Sequence, residues 1–176
     1  MMSAIIKQYP PYTAAHIANF ILFYGKQDGF PIDNLKLQKL TYIFFGWMSA
    51  FIPKYPLYLD PIYAWKFGPV IKSLYNQYKH YYKDPIKYDD YAWIDTQFRH
   101  LFDNDKAEIN IMNEEIYEIL KLLWDKYKSA SSGYLVDITH EKGGPWDKTY
   151  DGTLDKVIPV RIIQNYYQGV IEQIGK

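Results

Sequence analysis

The stretch DNLKLQKLTYIFFGWMSAFIP, residues 33–53, decides how the rest of the chain is read. Asp33 is a natural N-cap, and Leu37, Leu40, Phe44, Trp47, Met48 and Phe51 recur every three or four positions until Pro53 stops the pattern. The spacing predicts a long amphipathic helix. Lys36, Gln38 and Lys39 interleave with its leucines, and a polar residue between apolar ones is expected on a solvated flank. The apolar run Ile43 to Ile52 is broken by Gly46 and Ser49 and falls far short of the about 20 residues a membrane-spanning helix needs.

Working outward, Pro10-Pro11 ends an irregular arm over residues 1–12, and Thr13 caps a helix from about Ala14 to Tyr24 that Gly25 and Gly29 close. Beyond Pro53 the pattern changes to Leu57-Tyr58-Leu59 and Ile62-Tyr63-Ala64-Trp65, joined by Asp60-Pro61, which predicts a small β-hairpin. Gly68-Pro69 is then expected to open a third helix carrying Val70, Leu74, Tyr75, Tyr78 and Tyr82. Residues from about 84 to 112 read as a polar excursion. Asn113-Glu114-Glu115 starts a helix with Ile116, Leu120, Leu123, Trp124 and Tyr127 as its buried stripe. A shorter helix follows from Ser131 or Ser132 to Thr139-His140, and Pro159 opens the last one. The expectation is a mainly α fold, a single compact multi-helix domain over residues 1–176 with one short β-hairpin.

Composition narrows the function classes. The chain has 176 residues, 20 Lys+Arg against 20 Asp+Glu, and no Cys, which removes disulfides, thiol nucleophiles and thiolate metal sites. Residues 1–88 carry a net +6 and residues 89–176 a net −6, so the halves are expected to fold against each other. Met1 to Gln8 lacks the basic and apolar regions of a secretory signal, and a cytoplasmic location is expected. The 33 aromatic residues, 19 of them tyrosine, favour a recognition surface over chemistry. With Arg99 and Arg161 as its only arginines and dispersed lysines, the chain is not expected to bind nucleic acid.

Neither glycine-rich phosphate loop occurs, and the histidines at 16, 80, 100 and 140 are isolated. The one cluster with the residue types of a general base or metal site is Asp137, Thr139, His140 and Glu141. Its expected role is to cap helix carbonyls. No catalytic residue, metal ion or cofactor is expected.

Three stretches carry a resemblance: Leu35-Lys36-Leu37-Gln38-Lys39-Leu40-Thr41-Tyr42 with Gly46-Trp47, then Pro61 to Val70 including Trp65-Lys66-Phe67-Gly68-Pro69, and Leu135 to His140 followed by Pro145-Trp146. In order and spacing the chain resembles the Panacea, or SocA-like, antitoxin domain from Ala14 to Tyr167. Thr41 departs from a more often apolar position, and Gly143-Gly144 lengthens the approach to Pro145. The resemblance implies a non-enzymatic antitoxin, prophage- or bacterially encoded, that binds a cognate protein toxin; one branch of the family delivers its toxin to a protease. The alternative is a phage- or prophage-encoded regulatory interaction module without a cognate toxin. Tyr42, Trp65, Lys66, Gly68, Pro69, Thr139, His140, Pro145 and Trp146 are expected to be structural, whereas Lys36, Gln38 and Lys39 are expected to form the exposed toxin-binding surface.

Overall fold

The computed structural model describes residues 13–53, 60–87 and 114–175. The described residues form six α-helices and one antiparallel hairpin, a mainly α fold: α1 (Ala14–Gln27), α2 (Asn34–Phe51), β1 (Ile62–Trp65), β2 (Gly68–Ile71), α3 (Lys72–Tyr78), α4 (Glu114–Tyr127), α5 (Ser132–Thr139) and α6 (Val160–Ile174). The expected arm over residues 1–12, the strand at Leu57-Tyr58-Leu59 and most of the excursion after residue 84 lie outside the described residues.

Helix α2 is the axle of the fold. Asp33 Oδ1 accepts the Lys36 N–H at 2.7 Å and fixes its first turn. The other five helices and β2 all pack on it. A helix surrounded in this way has no outer face, so Asn34 and every residue from Lys36 to Ala50 are buried. Leu37, Leu40 and Phe44 join Ile17, Phe20 and Ile21 of α1, Leu120 and Trp124 of α4, Leu135 of α5 and Ile163 of α6 in one core. Gly46 lets α6 come close, because a β-carbon there would collide with the Tyr167 ring. Trp47 and Trp124 are both buried, and their indole N–H groups donate to Tyr127 Oη at 3.2 Å and Asp28 Oδ2 at 2.8 Å.

The hairpin differs from expectation. Ile62–Trp65 pairs with Gly68–Ile71, with Ile62 opposite Ile71 and Trp65 opposite Gly68. Pro69 therefore lies within β2, and α3 begins only at Lys72. The reason is the turn: Gly68 takes φ +97° directly after Lys66-Phe67, which reverses the chain before a helix can start. On the other edge of β1, the Ala64 N–H donates to Lys156 O at 2.8 Å and the Ile158 N–H to Ile62 O at 2.7 Å, an isolated antiparallel bridge between Tyr63 and Val157.

At the start of α1, the Thr13 N–H donates to His16 Nδ1 at 2.9 Å and the Thr13 hydroxyl lies 2.8 Å from the same atom. An Nδ1 that accepts is unprotonated, and burial pushes His16 down to about 4. Between the unfolded value near 6.5 and this folded value, the unfolded chain takes a proton that the native chain does not. Stability is thus expected to fall as pH falls through that window. Denaturant midpoints from pH 7 to pH 4 check it: the loss should be smaller in His16→Gln, and parallel curves for the two proteins would contradict it.

Candidate functional site

Two buried polar residues of α2, Gln38 and Lys39, find partners on the hairpin. Because Ile62 and Ala64 direct their backbone groups at residues 156–158, their cross-strand mates Ile71 and Pro69 turn theirs away from β1, toward α2. There the Ile71 N–H donates to Gln38 Oε1 at 2.8 Å, and Lys39 Nζ donates to Pro69 O at 3.1 Å and to Phe67 O at 2.6 Å. Pro69 has no N–H to satisfy. Two side chains and one proline thus close the edge of β2 in place of another strand. One turn earlier, Lys36 Nζ donates to Lys128 O at 2.9 Å, beyond the last residue of α4, where a cation meets the negative end of a helix.

This corrects the expectation that Lys36, Gln38 and Lys39 form an exposed surface. Their relative exposures are 8 %, 3 % and 0 %. Lysine and glutamine are usually solvated; here backbone carbonyls take the two lysine amines and an N–H takes Gln38 Oε1, while Gln38 Nε2 is left without a partner. Burial pushes Lys39 down to about 7. A neutral amine keeps two N–H groups, enough for both carbonyls, so the clamp works in either protonation state. Lys39→Met, which keeps the chain length and removes the donors, is expected to cost about 1–3 kcal/mol in urea unfolding. A midpoint equal to wild type would show that the two carbonyls do not need Lys39.

Trp65, Gly68, His140 and Trp146 meet at the same corner. A β-carbon on Gly68 would lie 2.5 Å from Lys39 Nζ and 2.8 Å from His140 Cε1, so the glycine sits between those two side chains. Thr139 Oγ1 donates to Leu135 O and Val136 O, both at 2.9 Å, and His140 Nδ1 lies 2.7 Å from Val136 O. These two side chains cap the end of α5, as their positions in the sequence suggest. Since a carbonyl only accepts, Nδ1 carries the proton in this contact. The Trp146 ring packs edge-on against His140 with centroids 4.0 Å apart, stacks on Tyr150 at 4.8 Å, and donates its N–H to Trp65 O at 2.8 Å. Pro145 O accepts the Thr149 hydroxyl at 2.8 Å, which holds the turn that presents Trp146. Tyr42 is buried, and that burial raises its phenol above the usual range. Thr41, the departure noted in the sequence, leaves its buried hydroxyl without a hydrogen-bond partner.

Around this corner, Trp65, His140, Trp146 and Tyr150 are half-buried, and Lys66 and Phe67 stand out in solvent. Glu141 is engaged by the Tyr166 hydroxyl. Among the described residues no group of three or more His, Cys, Asp or Glu side chains is placed to hold a metal ion. No helix of the described residues is long and apolar enough to cross a membrane. An open apolar cleft of about 330 Å³ lies elsewhere, lined by Leu22, Phe30, Ile32, Pro85 and Ile86. The arrangement at the corner offers aromatic surface and one cation, which are means of recognition.

Sequence reasoning missed β2, the closure of its edge by Gln38 and Lys39, and the Trp146 bond to the hairpin. One signal was available: glycine directly after two turn residues, following a strand, marks a hairpin bulge as well as a helix start.

The family described as "Antitoxin SocA-like, Panacea domain" matches residues 37–147, from α2 through the corner to just past Trp146. A curated relative, "Antitoxin SocA" of Caulobacter vibrioides (strain NA1000 / CB15N), is 29% identical over 144 residues, covering 79% of this chain and 71% of that protein. No solved structure is significantly similar to the chain.

Proposed function

The chain belongs to the antitoxin SocA-like, Panacea domain family, and from that premise we propose that it binds a separately encoded protein toxin directly, in the cytoplasm, and holds it inactive. The observation that carries this reading is the extent of the family match, which runs from Leu37 in α2 through the hairpin to Asp147, just past Trp146. The aromatic content of that corner supports a binding body, since aromatic side chains bring large contact area at low entropic cost. The role is regulatory, and the buried and half-buried motif side chains serve to build the scaffold on which the contact surface sits.

The test is genetic and uses the adjacent reading frame. Its expression alone should stop growth, and co-expression of this chain should restore it. If the toxin persists at an unchanged level during rescue, neutralisation is by masking; a shortened toxin half-life would instead mark delivery to a protease. A neighbouring frame that never affects growth would favour a regulatory module without a toxin.

A further inference from the structure

We propose that the turn Lys66-Phe67 is the centre of the surface that docks the toxin, and that it fits a protein presenting an apolar pocket bordered by a carboxylate. The inference rests on the reading of the chain as a toxin-binding antitoxin and adds where and how the toxin is held.

Phe67 is 69 % exposed, at a position in the turn where its ring packs on little of its own protein. Turn chemistry favours glycine, asparagine or aspartate at such places, so an aromatic side chain there is not explained by the needs of the backbone. The backbone beneath it is held from three sides by interior groups. Lys39 Nζ takes the Phe67 carbonyl at 2.6 Å, Trp146 Nε1 takes the Trp65 carbonyl at 2.8 Å, and Gly68 supplies the φ of +97° that closes the turn. An exposed aromatic ring on a backbone already ordered loses little entropy when it binds, which is the property of an interface anchor.

The neighbours define the complement. Lys66 Nζ lies 5.6 Å from the Phe67 ring centroid, and both side chains are exposed, so the knob carries a positive charge beside its ring. A pocket that accepts the ring and meets that charge has an acidic rim. Half-buried His140 and Trp146 flank the base of the turn, packed edge-on against each other. Two other strongly exposed apolar side chains, Leu154 and Leu122, lack this support. Leu154 is 85 % exposed, but its loop is held by the exposed pairs Asp151–Lys156 and Asp155–Lys72, which fix a loop only weakly. Leu122 stands alone on the outer face of α4, as single surface leucines commonly do.

The probe is the purified product of the adjacent reading frame, titrated with wild type, Phe67→Ala, Lys66→Glu and, as a control, Tyr82→Ala, which removes another exposed aromatic. Phe67→Ala is expected to weaken binding at least thirtyfold, as loss of an interface anchor does. Lys66→Glu should weaken it at least fivefold, more at low than at high salt. Tyr82→Ala should bind like wild type, and all four proteins should melt together because the changed side chains are exposed. If Phe67→Ala melts early, Lys66→Glu, which leaves the ring in place, decides the matter. Binding of both turn variants within threefold of wild type would overturn the docking surface and leave the antitoxin reading intact. Failure of wild type to bind would overturn that reading and this inference with it.

Discussion

Gly68→Ala is expected to destabilise the protein by about 2–5 kcal/mol, because an L-residue in the left-handed region and an overpacked buried site each cost energy of that order. The added methyl would sit 2.5 Å from Lys39 Nζ and 2.8 Å from His140 Cε1, at a φ of +97°. Neither neighbour can yield without consequence: Lys39 would leave the Phe67 and Pro69 carbonyls, and His140 would leave the Val136 carbonyl or press on Trp146. Urea unfolding measures the effect. A midpoint within error of wild type would mean that the corner is loosely packed and the clamp on the hairpin is not real.

Trp124→Ala should cost about 3–5 kcal/mol, the range for deleting a large core side chain. Trp124 is fully buried between α1 and α2, with Tyr24 at 6.4 Å and Phe30 at 6.3 Å between ring centroids. Its removal deletes one of the two tryptophans of the core and leaves Asp28 Oδ2 without the indole N–H. The melting temperature should drop by many degrees, while the same substitution at exposed Phe67 should hardly move it. Similar melting for the two variants would contradict the core described above.

The stripes of α1, α2, α4 and α6 were legible because each is a repeat of apolar residues at helical spacing, a signal contained in one short window. The capping of α5 by Thr139 and His140 was legible for the same reason, since donor and acceptor lie within four residues. The corner was not, because its bonds join distant parts of the chain: Gln38 to Ile71 across 33 positions, Trp146 to Trp65 across 81, and Lys36 to Lys128 across 92. Lys36, Gln38 and Lys39 were misplaced by a rule that holds for helices with an outside; α2 has none. Gly68-Pro69 is locally ambiguous, and only the pairing with Ile62–Trp65 shows that it belongs to a strand. Scaffold and candidate contact surface therefore exchange places relative to the first expectation: Gln38 and Lys39 hold the hairpin, Lys36 holds the end of α4, and the turn between the strands faces solvent.

Calorimetric titration of the purified chain into the purified product of the adjacent reading frame tests the antitoxin account most directly. It predicts saturable binding at a fixed stoichiometry, by the same protein that restores growth when the two are co-expressed. Growth rescue by a folded chain that gives no binding in the calorimeter would contradict neutralisation by direct contact.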